Sequence, residues 1–285
     1  MNGSIFGRLI LILTVALTFA PFNLWADEEK PTYEELEQRV KELEETDAGE
    51  RPTASADVGV FSKYMWRGFE LSDDSVVIQP SVTVEYKGFS LNLWGNLDTD
   101  SKVTDQSEFN ETDLTLAYDT SIGDFDIGVG YIYYGLDNAN DPEELYASVC
   151  AAAIPLAPTL TVYRDITEVI GWYMNLGISH SIELPHEMTL DLAGSAGYYY
   201  SKDDAFVEVK KVGGVWVDTT KKYQNMHDGQ ISVSLTIPLD KYFTVTPMLA
   251  YSFPLGGDAD DLLTASSFSN DADFFFGGVT LSIAF

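Results

Sequence analysis

The chain has 285 residues, and its 45 acidic against 16 basic side chains give a formal net charge of −29. So large an acidic excess excludes a nucleic-acid-binding surface and simple attraction to anionic headgroups. The one cysteine, Cys150, excludes an intramolecular disulfide.

Residues 1–26 carry Arg8, then the apolar run Leu9 to Ala20, then Ala26 before an acidic segment. That order reads as an export signal peptide, because the run is shorter than the roughly 20 apolar residues a membrane helix needs. Residues 27–53 read as a short acidic periplasmic helix and linker. Tyr33, Leu36, Val40 and Leu43 recur at steps of three and four, which predicts an amphipathic helix over Tyr33 to Glu45, with Gly49 and Pro52 in the linker.

Over residues 54–285 the pattern becomes alternation bounded by turns. Twelve strands are predicted, at about 55–67, 76–87, 89–98, 110–119, 124–135, 143–152, 158–165, 169–183, 187–200, 228–238, 241–253 and 273–285. In one of them Phe125, Ile127, Val129, Tyr131 and Tyr133 alternate with Asp126, Gly128, Gly130, Ile132 and Tyr134. Connections at Lys87-Gly88, Thr120 to Gly123, Ile154 to Ala157, Leu184 to His186 and Leu239-Asp240 are short. Those at Phe69 to Ser75, Asp98 to Phe109, Leu136 to Pro142, Ser201 to His227 and Pro254 to Ala272 are longer and mostly acidic; Ile166 to Glu168 is a short exception. Short turns at one end, longer loops at the other and an even strand count predict an all-β, twelve-stranded antiparallel transmembrane barrel with both termini in the periplasm.

The aromatic residues sort the same way. Trp66, Tyr133, Trp172, Tyr198, Phe253 and Phe275 fall on the apolar face near the long-loop end, and Tyr86, Phe89, Tyr118, Phe125, Phe243 and Phe285 near the short-turn end. Two such girdles are expected where rings meet two membrane interfaces. In the last strand Val279, Leu281, Ile283 and Phe285 share one face, and closing the sheet requires this strand to pair with the first. An amphipathic strand ending on Phe resembles the closing strand of bacterial outer-membrane barrels, which implies that Phe285 is part of a signal read by the assembly machinery.

The first strand, Val58 to Gly68, contains Ser62, Tyr64, Arg67 and Gly68 in a Ser-x-Tyr-x-x-Arg-Gly pattern; the second carries Ile78 and Gln79, and the third Phe89 to Trp94. These three strands resemble the opening of the TorF-type porin family, also known by the domain label Gcw_chp. The resemblance implies an outer-membrane barrel of porin type with no specific substrate.

A barrel of twelve strands is wider than the side-chain-filled eight-stranded case and narrower than a sixteen-stranded porin. Its expected pore-lining residues are Lys63, Arg67, Gln79, Glu85, Asn92, Asn96, Asp165, Asn175 and Asp191. Lys63, Arg67, Glu85 and Asp191 are expected in one lumenal ring, where opposed charges orient and select solutes. The bland reading of the same charges is an internal ion-pair network that only stabilises. Aspartates in the outer loops, Asp73, Asp74, Asp137 and Asp258 among them, would concentrate cations at the mouth. Asp258 to Asp261 lacks the glycine and spacing of a calcium loop, so no metal is expected. Phe206 to Lys210 and Gly214 to Asp218 flank a Val-Gly-Gly turn, which predicts a protruding hairpin.

Neither a cofactor nor catalysis is expected. His180, His186 and His227 have no serine in register, and Cys150 reads as a small packing residue. The function expected is passive diffusion of small solutes or ions, cations ahead of anions. The alternative is a closed barrel with a structural or surface-interaction role through its acidic loops. Outer-membrane lipid, lipopolysaccharide and the assembly machinery are the other expected partners. If residues 27–50 are a separate helix, deleting them leaves a barrel that still refolds, as read by heat-modifiable gel mobility.

Overall fold

A computed structural model describes residues 51–285 apart from Asn138. The signal peptide read over 1–26 and the helix over Tyr33 to Glu45 lie outside the described residues. In chain order the strands are β1 (Thr53–Phe61), β2 (Met65–Trp66), β3 (Phe69–Glu70), β4 (Val77–Tyr86), β5 (Phe89–Ser101), β6 (Gln106–Ile122), β7 (Phe125–Leu136) and β8 (Glu143–Ala151). Then follow β9 (Thr159–Asp165), β10 (Gly171–Glu183), β11 (Thr189–Ser201), β12 (Val207–Val212), β13 (Val215–Lys222), β14 (Gln224–Pro238) and β15 (Phe243–Pro254), the helix α1 (Gly257–Ser266) and β16 (Phe274–Ala284).

Twelve of these strands close an antiparallel barrel in the order β1-β4-β5-β6-β7-β8-β9-β10-β11-β14-β15-β16. β16 returns to β1 in a ladder from Ser55↔Ala284 to Phe61↔Gly278. Beyond it, Ala54 and Phe285 exchange two backbone hydrogen bonds of 2.9 Å each. Closure leaves no sheet edge, which is the condition for a β-sheet to sit in a solvent that offers backbone groups no partner.

Each rung carries one facing around the wall, since directly opposed residues project to the same side. Asp57 opposes Ser81, Ser81 opposes Trp94, Trp94 opposes Asp113 and Asp113 opposes Tyr134, all inward. The other set is exposed and apolar: Val58, Val82, Leu93, Leu116, Val129, Leu145, Leu176, Leu192, Ile231, Leu249 and Leu281 make a continuous belt. At its short-turn rim Tyr86, Phe89, Tyr118, Phe125, Phe243 and Phe285 are exposed, and Phe275 is 72% exposed at the other.

Turn chemistry explains the short end. Lys87 and Gly88 both take positive φ, 52° and 84°, as the right-twisted type I′ hairpin requires. Gly213 and Gly214 do the same, at 61° and 87°, between β12 and β13, and this is the hairpin predicted within Ser201 to His227.

Three expectations need correction. The first strand stops at Phe61, not at residue 67; Arg67 (φ 47°) and Gly68 (φ 81°) form the two-residue turn between β2 and β3. Trp66 therefore leaves the outer girdle and faces Tyr134 inside the barrel, with ring centroids 6.1 Å apart. The expected loop from Asp98 to Phe109 is largely strand, because β5 and β6 stay paired as far as Ser101↔Gln106. The acidic connection after Pro254 holds α1, whose Asp258 and Asp260 stand in the first turn, where the helix dipole favours carboxylates, and whose Ala259, Leu262 and Leu263 are buried.

At the seam the Phe61 ring lies over two glycines of the inner wall, Gly59 on its own strand and Gly278 opposite. A Cβ at Gly278 would meet the Val60 carbonyl oxygen at 2.1 Å and the Phe61 ring at 2.4 Å. Gly278→Val is expected to lower stability by about 1–3 kcal/mol through overpacking, measured as a lower urea midpoint of the refolded barrel.

Candidate functional site

The interior divides into two halves. Toward the short turns the inward residues are small or polar and stay half-buried or exposed: Thr83, Glu85, Asn92, Thr115, Asp119, Asp126 and Asp191. Among the described barrel-strand residues no lysine or arginine faces inward, and Arg164, the one lysine or arginine among them, belongs to the outward set with Leu145 and Trp172. The wall is therefore acidic and wet at this end.

Toward the long loops the interior is filled. The chain between β1 and β4 folds inward, and its tip is the β2–β3 hairpin. Arg67 at that tip makes a bidentate pair with Glu144 of β8, at 2.8 and 2.7 Å, with both side chains buried. Its guanidinium carbon lies 4.4 Å from the ring centroids of each of Trp66, Tyr163 and Tyr173. Tyr134 donates a further hydrogen bond to Glu144 at 2.9 Å. A planar, delocalised cation suits this surrounding, since it can stack and fork at once.

Around it the inward rings of Tyr146, Tyr163, Tyr173 and Tyr199 run side by side on successive strands, with centroids 5.7, 6.0 and 4.7 Å apart. Tyr173 donates to Asp228 at 2.9 Å. His227 is fully buried against Phe69 and Tyr199; its Nδ1 is 2.7 Å from the Tyr223 hydroxyl, and its Nε2 has no protein partner among the described residues. Leu262 of α1 and Val209 of β12 complete this core. Lys63 pairs with Glu70 and, at 3.1 Å, with Asp74, while the other Glu70 oxygen accepts from the backbone and hydroxyl of Ser269 at 3.0 and 2.9 Å. The inserted hairpin is thereby tied to the loop that bears α1.

Above the barrel Lys210 bonds to Asp258 and to Asp261, and these two carboxylates raise its pKa above the ordinary lysine value. In the β14–β15 turn, hydrogen bonds from the amides of Tyr242 and Phe243 hold the Asp240 carboxyl below the usual range.

Between the inserted hairpin and the wall lies a cavity of about 430 Å³, lined by Tyr64, Trp66, Arg67, Phe69, Glu111, Tyr134, Trp172, Tyr199 and Phe206 among others.

The expected pore-lining residues occupy different levels. Gln79 donates to Asn96 at 3.0 Å, and the fully buried Asn96 to Asn110 at 2.8 Å. Asn175 donates to the Tyr173 hydroxyl at 3.3 Å, and Asn92 to Thr83 Oγ1 at 2.8 Å. Asp165 accepts from the amides of Thr167 and Glu168 at 3.0 Å each, shaping the β9–β10 turn. Asp191 accepts from Ser181. Lys63 and Arg67 stand in the filled half and Glu85 and Asp191 in the wet half, so the four do not form one ring. The reason is the same two-residue turn: it carries Arg67 off the wall and into the centre.

Sequence reasoning missed Glu144, Asp228 and His227. Glu144 was within reach, because the alternation that puts Tyr146 inward puts Glu144 inward two residues earlier.

With this geometry in hand, a family model described as a bacterial protein of unknown function, Gcw_chp, matches residues 45–227. The chain belongs to the Gcw_chp family. Among curated proteins no sequence matches. Solved structures similar to it include an OmpF of Salmonella typhi in complex with daunomycin, at 8% identity and TM-score 0.38, covering 83% of this chain and 98% of that one. An anion-selective porin from Comamonas acidovorans has 11% identity and TM-score 0.31, with 82% and 98% covered. An outer membrane channel from Pseudomonas putida F1 has 11% identity and TM-score 0.32, with 84% and 97% covered.

In this Gcw_chp member Glu144 compensates the buried guanidinium of Arg67. Glu144→Ala leaves a guanidinium buried without its partner and is expected to cost about 3–5 kcal/mol. Replacing both partners, Arg67→Met with Glu144→Leu, should cost clearly less. Equilibrium urea unfolding of the two variants checks the order.

Proposed function

We propose that the chain is an outer-membrane, TorF-type porin through which small solutes diffuse passively, cations ahead of anions, with the inserted segment between β1 and β4 restricting the outer mouth. One observation carries the reading. Asp57, Glu85, Asp113, Asp119, Asp126 and Asp191 all belong to the inward set, and among the described residues no lysine or arginine of a barrel strand faces them. Carboxylates along a narrow, low-dielectric bore raise the local cation concentration and oppose anions.

The apolar belt and its aromatic rims would face lipid and, on the outer leaflet, lipopolysaccharide. Residues 1–26 would serve export, residues 27–53 and both ends of the barrel would lie in the periplasm, and the exposed Phe285 would be read by the assembly machinery. A second reading, a closed barrel that acts through its outer loops, draws on the filled mouth. The two readings differ in whether the hairpin ever leaves its seat.

Single-channel recording of the refolded protein in a planar bilayer under a salt gradient decides. Wild type is expected to give small cation-selective openings, Arg67→Ala larger or more frequent ones, and Glu85→Gln with Asp191→Asn a reversal potential closer to zero. Silence from verified folded wild type and Arg67→Ala would sink the channel reading in favour of the closed barrel.

A further inference from the structure

We infer that the cavity at the outer mouth binds an organic cation, a quaternary or protonated amine on an apolar body. The inference rests on the channel reading for the passage of solute to the site, and it names the class of solute. The cavity, about 430 Å³, lies within the range that holds small molecules. Its walls are largely rings and aliphatic groups: Trp66, Phe69, Tyr134, Tyr199 and Phe206 all contribute. By itself such a lining would accept any apolar body. The charges decide among them.

Arg67 is the basic residue of the lining, and it is already committed, forked onto Glu144 and stacked against three rings. It offers no free cation to an incoming anion. Glu111, also in the lining, is buried. Two residues along the same inward face, Asp113 has a buried Oδ1 without a hydrogen-bond partner. Among the described residues no ion pair reaches Glu111 or Asp113. Asp137 adds a further, exposed carboxylate to the lining.

Glu111 and Asp113, two neighbouring acids with no cation paired to them, stand beside aromatic rings, and a positive charge there is favoured by both acids and by the negative faces of the rings. A bare metal ion does not fit. Among the described residues no three carboxylate, histidine or cysteine side chains stand together to replace its hydration shell, and apolar walls cannot do so. An amine with an apolar body meets both halves of the lining, the rings with its carbons and the acids with its charge.

The test is isothermal titration of the full-length barrel refolded in detergent, its folded state verified by heat-modifiable mobility. The probes are choline, its neutral isostere 3,3-dimethylbutan-1-ol, and benzyltrimethylammonium. Saturable binding of at least one of the two cations is expected, with the neutral isostere at least tenfold weaker than choline, and with Glu111→Gln and Trp66→Leu each weakening the bound cation at least fivefold. Asp137→Asn serves in place of Glu111→Gln should that variant not refold. The inference is overturned if neither cation binds, if choline and its isostere bind alike, or if the carboxylate variant leaves affinity unchanged. Bilayer conductance measured on the same preparation separates the two ideas. Conductance without binding removes the cation site alone, whereas charge-dependent binding without conductance removes the channel reading alone.

Discussion

A guanidinium taken out of water inside a barrel must be neutralised by something the barrel wall supplies, and the outer half of this molecule is arranged around that requirement. Arg67 reaches the centre only because it occupies the first position of a type I′ turn, where its φ of 47° is a conformation that costs a non-glycine residue about 1–2 kcal/mol. Gly68 follows with no side chain because a Cβ there would meet Asp228 at 2.8 Å and Leu263 at 3.2 Å. The turn, the glycine, Glu144 and the three stacked rings form one device. Removing any member leaves the others poorly solvated, which is why the pair resists replacement of one partner more than of both.

The register of the closed sheet does the rest. Because opposed residues share a facing around the whole wall, a single alternation separates a lipid-like exterior from a polar interior. The interior then acquires its sign from strand residues alone, and those are acids. The cations that enter, Lys63 and Arg67, arrive on the inserted segment and are matched there by Glu70, Asp74 and Glu144. They are paired within the outer half, and neither reaches Glu111 there or the carboxylates of the inner half. The acids of the wall and the cations of the insert thus come from different parts of the chain.

How legible this was depends on period length. All twelve strands could be found because an alternation of large apolar and small polar residues persists for seven or more residues, and the short turns carry their own chemistry, as at Lys87-Gly88. The β2–β3 hairpin was not legible, since two strands of two residues have no period and arginine is not a residue expected at positive φ. Helix α1 hid in an acidic stretch whose apolar spacing, Ala259, Leu262 and Leu263, spans little more than one turn. The facing of Glu144 could be read from its neighbour Tyr146. Its pairing with Arg67, 77 positions away, could not, because only the closed fold brings the two together.

The same anatomy limits how the proposed channel would open. The insert is held by a buried bidentate pair, by the stack of rings and by the hydrogen bonds from Ser269 to Glu70, so in the proposed channel an open arrangement would need something that binds it better than the seated one. A solute can shift that balance only by its difference in affinity for the two arrangements. One that merely fits the cavity with the hairpin seated would stabilise closure. One whose positive charge competes with Arg67 for Glu144 would instead weaken the contact that holds the hairpin, and for that solute the wall beyond, lined with carboxylates, lies open toward the short turns.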